Sequence, residues 1–446
     1  MRVYLETLGC RLNYAEMAAL GRQLEGAGHN VVASATEAEV CVLNTCAVTG
    51  EAARKSRQVV RQLARTNPGL HLVVTGCYAS LESEMVASLP NVTLVVGNDR
   101  KEALLSLLEE AVGEAGAARP ASPAMEIPLL GVEPSPAPAH GDSTYFFPAA
   151  RTRAFVKVQD GCHNRCTFCI VTVARGQERS RPIAQVLSEV NRLHAAGYQE
   201  AVLTGVHLGA YGRDLGSSLL ELVDTLLSGT TLPRLRLSSL EPFDLAPQFF
   251  DLWAQSQGRL MPHLHLPAQS GSDAVLRRMA RRNSVAEFEA LAAAARTRIP
   301  GLTITTDLIA GFPGESTADF EATLAFARRG GFAHLHVFPY SARAGTAAAR
   351  FGGQLPRAER SRRSHLLNEL DVELRREVRR GMLGTAQRVL WESAQPWPQA
   401  AGYVRWEGLS GNYLRVQRLA PDGVDLHNQI ETVRLNRLDG DLLWAD

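Results

Sequence analysis

The chain has 446 residues, 45% of them hydrophobic, which is enough for two or three domains with sizeable cores. Its 47 Lys and Arg against 46 Asp and Glu leave a formal charge of +1, which excludes a global attraction to polyanions and confines any nucleic-acid surface to a local patch. Glu6 interrupts the stretch where a secretory signal would be apolar, and no run reaches membrane-spanning length; a cytoplasmic protein with no membrane partner is expected, its seven cysteines reduced.

Residues 1 to about 112 read as repeated strand-then-helix units. Val3-Tyr4-Leu5, Val40-Cys41-Val42-Leu43 and Leu72-Val73-Val74 are short apolar runs, each followed by turn residues and a helical pattern, and Thr93-Leu94-Val95-Val96-Gly97 is a fourth strand. That alternation predicts a doubly wound parallel sheet. Cys10, Cys46 and Cys77 each fall just past a strand end, and in such a sheet those ends share the edge where ligands bind. Buried core thiols are the alternative, but core packing gives no reason for Cys to recur at one place in three units. Cys41, inside a strand, is the contrasting case and is read as packing only. Three converging thiolates leave one iron of a four-iron cluster open.

From Gly113 to Pro148 the chain is rich in Ala, Pro, Gly and Ser, with Pro120, Pro123, Pro128, Pro134, Pro136 and Pro138 preventing regular structure, so a linker is expected there. Beyond it, the strand-like Ala154–Val158 leads into Gln159-Asp160-Gly161-Cys162-His163-Asn164-Arg165-Cys166-Thr167-Phe168-Cys169. A C-x3-C-x2-C loop offers three thiolates to one metal centre and again leaves a position open. A closed zinc site needs a fourth ligand, and His163, beside Cys162, would strain the loop in reaching the same ion.

Strand patterns resume at Ala201–Gly205, Arg234–Ser238, His263–Leu266, Thr303–Asp307 and His334–Phe338. With the strand before Cys162 they make six, which predicts a partial (βα)₆ barrel. The strand ends carry polar residues: Gly205 and His207, Glu241, Gln269, and Asp307 followed by Gly311 to Glu315. Glu241 and Gln269 are candidate contacts to cofactor or substrate. His263 and His265 share a strand face and read as packing or hydrogen-bonding residues in preference to metal ligands. The Arg-rich stretch Phe351–Gly381 reads as a solvated helix face, with a phosphate-binding contribution left open. The tail, from roughly 384, holds short alternating runs at Val389–Trp391, Gly402–Trp406, Asn412–Val416 and Thr432–Leu435. They predict a small antiparallel barrel whose Tyr, Trp and Arg side chains can stack bases or simply pair across strands.

The Cys162–Cys169 loop with Phe168 resembles the signature of the radical S-adenosylmethionine enzymes. That resemblance implies an open iron chelated by S-adenosylmethionine, reductive cleavage to a 5′-deoxyadenosyl radical, Phe168 near the adenine, and the Gly205 segment near the amino group. The Leu8, Gly9, Cys10, Asn13 and Glu16 pattern is similar to that of the methylthiotransferases, whose second cluster holds the inserted sulfur. The tail resembles their carboxy-terminal TRAM module, an RNA binder. The implied fold class is α/β: an N-terminal doubly wound parallel α/β domain, a central partial (βα)₆ TIM-type radical barrel and a C-terminal small antiparallel, OB-like β-barrel. The implied layout is a cluster-binding domain over 1–112, a linker over 113–148, a radical domain over 149–382 and TRAM over 383–446. Two [4Fe-4S] clusters, on Cys10, Cys46 and Cys77 and on Cys162, Cys166 and Cys169, would serve with S-adenosylmethionine. Partners would be the tRNA anticodon stem-loop, a one-electron reductant such as flavodoxin or ferredoxin, and a sulfur donor that the sequence does not name, acting on a monomer. Asn44–Thr49, Leu237–Pro242 and His336–Ser341 with Arg343, Gly345 and Thr346 look most like the branch that methylthiolates N6-threonylcarbamoyladenosine. Isopentenyladenosine, a ribosomal-protein aspartate, and a radical enzyme whose second cluster is an electron relay are the alternatives.

Overall fold

The computed structural model describes residues 1–115 and 152–446, which form two compact units within Met1–Ala150 and Arg151–Asp446. The expected linker lies outside the described residues, apart from its first three positions, which continue the helix Leu104–Ala115. Among the described residues no helix is long and apolar enough to cross a membrane.

The first unit is a five-stranded sheet built from β1 (Arg2–Thr7), β2 (Asn30–Val32), β3 (Val40–Thr45), β4 (His71–Gly76) and β5 (Val92–Val96), ordered β2-β1-β3-β4-β5 with every pairing parallel. All six positions of β3 are buried, because helices cover both sheet faces, and so its sequence runs apolar where a half-exposed strand would alternate. Val3, Leu5, Met17, Leu20, Val40, Val42 and Val73 form the core on one face, each worth about 1.5–3 kcal/mol when fully buried. The edge strand β2 is an addition to the sequence reading; three residues paired to Arg2–Tyr4 are too short to show a period.

The second unit carries β6 (Arg153–Lys157), β7 (Gln159–Asp160), β8 (Arg179–Ser180), β9 (Glu200–Thr204), β10 (Arg234–Leu237), β11 (His263–His265), β12 (Thr303–Ala310) and β13 (His334–Pro339). Strands β6, β9 and β10 pair in parallel, as do β11, β12 and β13. Parallel bridges Leu235–Leu260 and Ser239–His265 join the two halves into a six-stranded open barrel, while β7 and β8 form a small antiparallel pair. Val156, Leu203, Leu235, Leu237, Leu264, Leu266, Ile304, Leu308 and Leu335 pack into one core. By strand alternation their neighbours Glu200, Arg234, Arg236, His263, His265, Thr305, Asp307 and His336 face the other way, into the barrel. A closed barrel fills that space with branched apolar side chains; this one is lined with polar groups.

The tail folds into a closed barrel of β14 (Ala386–Pro396), β15 (Tyr403–Ser410), β16 (Arg415–Pro421), β17 (Ile430–Asp439) and β18 (Leu442–Ala445), ordered β14-β15-β16-β18-β17. Its pairings are antiparallel except β16 with β18. The reading of Asn412–Leu414 as strand is corrected: these residues are the turn between β15 and β16, and Tyr413 has φ of 68°. Tertiary contacts override the local pattern there. Arg234 donates to the carbonyls of Leu409 and Ser410 at 3.0 Å each, and Arg236 to that of Gly411 at 3.0 Å. Tyr413 stacks on His263 with ring centroids 4.6 Å apart. The turn therefore packs against the polar interior of the open barrel. Glu200, fully buried, pairs with Arg234 at 2.8 Å and Arg236 at 2.7 Å. Burial opposes its charge, but the guanidiniums prevail and bring its carboxyl down to about 2.

Candidate metal centres

In the second unit the three cysteines of the loop after β7 lie on a backbone shaped by local rules. Gly161 has φ of +73°, and a Cβ there would stand 1.8 Å from the Gln177 carbonyl oxygen, so only glycine fits. The Asp160 carboxylate accepts from Gly161 N at 2.8 Å and from Arg175 at 3.0 Å, and Cys162 N donates to the Gly176 carbonyl at 3.1 Å. Each sulfur then receives an N–H: Asn164 N to Cys162 at 3.4 Å, Arg281 Nη1 to Cys166 at 3.7 Å, and Val171 N to Cys169 at 3.5 Å. Such donors stabilise thiolates bound to iron. Burial pushes the Cys169 thiol up to about 12 and raises Cys166 as well, so these sulfurs lose their protons to a metal and not to bulk water at neutral pH. Three soft donors with supporting N–H groups fit an iron-sulfur cluster.

Neither nearby histidine is available as a fourth ligand. His163 is 60% exposed and pairs with Glu178 at 3.1 Å. His207 lies within reach of Cys162 and Glu178, but its Nδ1 is held by Glu178 at 2.7 Å and its Nε2 by Asp244. Burial lowers its imidazolium, yet the hydrogen bonds to Asp244, Cys162 and Glu178 outweigh that and raise it to about 10; both ring nitrogens are engaged by carboxylates, which leaves no lone pair directed at a metal.

The polar strand ends named from sequence surround this loop. Gly205 lies close against Gln159, whose side-chain oxygen would stand 2.9 Å from an added Cβ. That same oxygen accepts from His207 N at 2.8 Å, while the amide nitrogen donates to Asp160 and Gly161 carbonyls, so Gln159 ties the loop to the Gly205 segment. Glu241 accepts from Arg281 at 2.5 Å, and Arg281 also donates to the Pro267 carbonyl at 2.9 Å. Gln269, with φ of 72°, donates its backbone N–H to the Asp307 carbonyl at 2.8 Å. Phe168 packs beside Val275, Met279, Ile309, Phe312, Tyr340 and Ala348. Sequence reasoning missed Arg281 and the Glu178–His207–Asp244 bridge. These pairs span many residues, and no local period marks them.

In the first unit Cys10 caps the N-terminus of helix Arg11–Gly26, Cys46 follows β3, and Cys77 opens the short helix after β4. Strands β1, β3 and β4 are neighbours, with Thr7 beside Asn44 and Thr45 beside Gly76, so the three cysteines follow adjacent strand ends. Gly9, at φ +107°, brings its backbone so near Cys46 that a Cβ would lie 3.0 Å from the sulfur. Beside them runs a polar brace. Lys101 Nζ donates to Glu16 at 2.5 Å and to the amide oxygens of Asn44 and Asn98 at 3.1 Å each. Asn98 Nδ2 donates to the Cys77 sulfur at 3.8 Å, and Asn13 donates to the carbonyls of Leu8 at 2.7 Å and Thr45 at 3.2 Å. A donor set of thiols, with the Glu16 carboxylate held by Lys101, fits a second cluster. Cys41 is buried within β3, and burial raises its thiol.

On the tail barrel, Arg405 lies over the Trp397 ring at 5.1 Å and Arg437 over Trp444 at 4.5 Å, while the two indoles meet edge to face at 5.6 Å. Tyr403 beside them is 46% exposed. On the helix Arg357–Gly381 the reading of a solvated face holds for Arg362 and Arg376, each 55% exposed; Arg363 instead turns inward to Glu315 at 2.7 Å.

Comparison with known proteins adds matches to two family models, two relatives and one solved structure. Residues 2–97 match the family described as "Uncharacterized protein family UPF0004", and residues 156–327 match the "Radical SAM superfamily". The "Threonylcarbamoyladenosine tRNA methylthiotransferase MtaB" of Bacillus subtilis (strain 168) is 35% identical, over 93% of this chain and 89% of its own. The "tRNA-2-methylthio-N(6)-dimethylallyladenosine synthase" of Sorangium cellulosum (strain So ce56) is 35% identical, over 100% of this chain and 93% of its own. The structure of the radical S-adenosylmethionine methyltransferase TsrM from Kitasatospora setae, with cobalamin and a [4Fe-4S] cluster bound, has a TM-score of 0.54 at 16% identity, covering 76% of this chain and 75% of that one, which is a likeness of fold.

Proposed function

The chain belongs to the radical S-adenosylmethionine methylthiotransferases, and from that premise we propose that it converts N6-threonylcarbamoyladenosine at position 37 of tRNA, 3′ of the anticodon, to the 2-methylthio derivative. The observation that carries the reading is the second set of cysteines: in addition to the radical-type loop of the second unit, Cys10, Cys46 and Cys77 follow adjacent strand ends within the first, as a sulfur-inserting enzyme requires. Cys162, Cys166 and Cys169 would hold a [4Fe-4S] cluster whose chemistry would be the reductive cleavage of S-adenosylmethionine to a radical, and Cys10, Cys46 and Cys77 would hold a second that would carry the sulfur to be methylated and inserted, delivered by a separate sulfur donor. A radical route is needed because an aromatic C2–H is far too weak an acid for any side-chain base.

The protein's own groups hold and orient. Phe168 packs toward the adenine of the cofactor, the Gly205 segment meets its amino group, and Glu241 and Gln269 supply polar contacts to cofactor or substrate. Gln159 and Arg281 keep the loop fixed against these segments. Residues 1–112 are the sulfur-cluster domain, 149–382 the radical domain and 383–446 a TRAM domain of OB-like type. Arg405, Trp397 and Tyr403 stack bases and meet phosphates of the anticodon stem-loop, whose loop bases can splay out. Flavodoxin or ferredoxin supplies the electron, and the enzyme works as a monomer in the cytoplasm, where tRNA is modified.

Dimethylallyladenosine is the second reading, favoured by the equal 35% identity to the Sorangium relative. Modified-nucleoside analysis of tRNA from a deletion strain separates them. Loss of 2-methylthio-threonylcarbamoyladenosine, with its unmethylthiolated precursor accumulating, is the expected result. An unchanged threonylcarbamoyladenosine profile removes the proposal.

A further inference from the structure

The polar face inside the open barrel includes a group to which the chemistry above gives no task. His265 ends β11, Asp307 lies within β12, and His336 lies within β13; the ladder pairs Thr305 with His265 and Asp307 with His336. One ligand atom from each of His265, Asp307 and His336 lies within 4.8 Å of the others, and the two imidazoles meet edge to face at 5.2 Å. All three occupy strand positions whose neighbours Leu264, Leu308 and Leu335 pack outward, so they face the barrel interior. They stand just below Gln269, whose backbone N–H is bonded to the Asp307 carbonyl, on the side of the strand ends that carry the cluster loop.

A divalent cation is the first occupant to weigh, and the contacts already made by His265 argue against it. His265 has its Nδ1 engaged by the Thr305 hydroxyl at 2.9 Å and its Nε2 by Asp307 at 3.2 Å. Neither nitrogen offers a lone pair without breaking a contact, and a site reduced to one carboxylate and one imidazole holds a divalent ion weakly. What remains is a carboxylate oriented by His265, next to an imidazole. That pairing offers an acceptor and a donor side by side.

We propose that Asp307 and His336 read the polar N6 substituent of the substrate nucleoside, with His265 as the positioning residue that aims Asp307. The inference rests on the threonylcarbamoyladenosine reading and deepens it. A threonylcarbamoyl group carries a urea N–H, a hydroxyl and a carboxylate. Asp307 can accept only, and so takes the N–H or the hydroxyl. The imidazole of His336 donates to the carboxylate, neutral or protonated. A dimethylallyl group has none of these atoms, and offers Asp307 and His336 neither a donor nor an acceptor.

The test uses reconstituted full-length protein and anticodon stem-loop RNA with either unmodified adenosine or threonylcarbamoyladenosine at the target position, read by fluorescence anisotropy. Wild-type protein is expected to bind the modified RNA roughly 10- to 100-fold more tightly, the span of a hydrogen bond to a charged group. His336→Leu and Asp307→Leu should lose that preference while holding unmodified RNA as wild type does, and His336→Gln, which keeps a donor, and Asp307→Asn, which keeps an acceptor, should each restore part of it. Asp307→Asn preserves shape if its leucine counterpart does not fold. Preference retained in both leucine variants, while wild type still makes the methylthio product, overturns this inference and leaves the reaction intact; no product from modified RNA overturns the reaction itself. Two other results also sink it. One is loss of preference in Arg343→Ala alone, since that rim residue has its Nε buried without a partner. The other is a divalent ion, beyond the cluster irons, retained by wild type and lost in Asp307→Asn.

Discussion

In the second unit three cysteines arrive within one loop, and the supports of their sulfurs are chiefly local: two backbone N–H groups from residues two positions away, plus Arg281. In the first unit the three come from the ends of three strands and are held by side chains drawn from several segments, Asn13 beside Cys10, Asn44 beside Cys46, and the more distant Asn98, Lys101 and Glu16. A loop of this kind can hold its ligand geometry once a short stretch of backbone is fixed. The strand-end set exists only when the whole sheet is folded. Iron at the first unit should therefore be the more sensitive to any loss of global stability, and iron at the loop the more sensitive to local backbone change.

The sharpest way to break that comparison is to remove ligands one set at a time. Cys162→Ala should abolish both S-adenosylmethionine cleavage and product. Cys46→Ala should abolish product yet leave cleavage, with iron falling from about eight to about four atoms per chain if each set holds one four-iron cluster. Anaerobic reconstitution with iron analysis and chromatography of 5′-deoxyadenosine reads both. Loss of cleavage in the Cys46 variant would deny the two sets separate roles. Gly161→Ala tests the local half: a Cβ 1.8 Å from the Gln177 oxygen should cost the loop iron while the first unit keeps its own.

The same contrast decides what the sequence could tell. The loop was legible because ligand, spacing and turn glycine lie within a dozen residues, and the strand-end cysteines became legible once β1, β3 and β4 were recognised as parallel neighbours. The supports were not legible. Lys101 reaches Glu16, and Arg281 reaches Glu241 and Cys166, across gaps that carry no period. A signal did exist for the barrel interior: Arg234-Leu235-Arg236-Leu237 and His263-Leu264-His265 alternate polar with apolar in strands of a domain whose parallel sheet should be apolar throughout. Such alternation means one face is not packed with hydrocarbon. The turn at Asn412–Leu414 was misread as strand because its backbone is set by Arg234, Arg236 and Thr303, none of them near in sequence.

Next in size is the brace of the first unit. Lys101 and Glu16 have side chains 8% and 6% exposed, so Lys101→Met leaves a buried carboxylate without its cation, with the Asn44 amide still donating to it, and should cost about 3–5 kcal/mol. Urea unfolding of the apoprotein measures it. Adding Glu16→Leu should recover most of the loss, because removing both charges also removes the desolvation penalty. A Lys101→Met protein as stable as wild type would show that the strand-end set needs no such support.

The second unit has a buried charge group of its own, and pH sharpens how the two differ. Glu200 is held at about 2 when folded against an ordinary 4.5, by Arg234, Arg236 and Arg153 acting against burial. A depressed folded value means the unfolded chain binds the proton first. The stabilisation is therefore present above about 4.5 and lost as pH falls toward about 2. Glu200→Gln should lower stability at neutral pH and flatten that acid limb. Thermal midpoints across the same range should converge for the two proteins at the acid end.

The smallest expected effect compares the sulfur supports directly. Asn98 gives Cys77 a long neutral N–H contact at 3.8 Å, whereas Arg281 gives Cys166 a cationic one at 3.7 Å. A neutral donor is worth about 1 kcal/mol and a charged one about twice that, so Asn98→Ala should shift the midpoint of its cluster by roughly 40 mV and Arg281→Met should shift the loop cluster by about double. Both shifts should be negative, because removing a donor destabilises the reduced, more electron-rich cluster more than the oxidised one. Potentiometric titration followed by electron paramagnetic resonance resolves the two sites. Equal shifts would mean that charge at the sulfur matters less than the contact itself, and that local and distant supports tune their clusters alike.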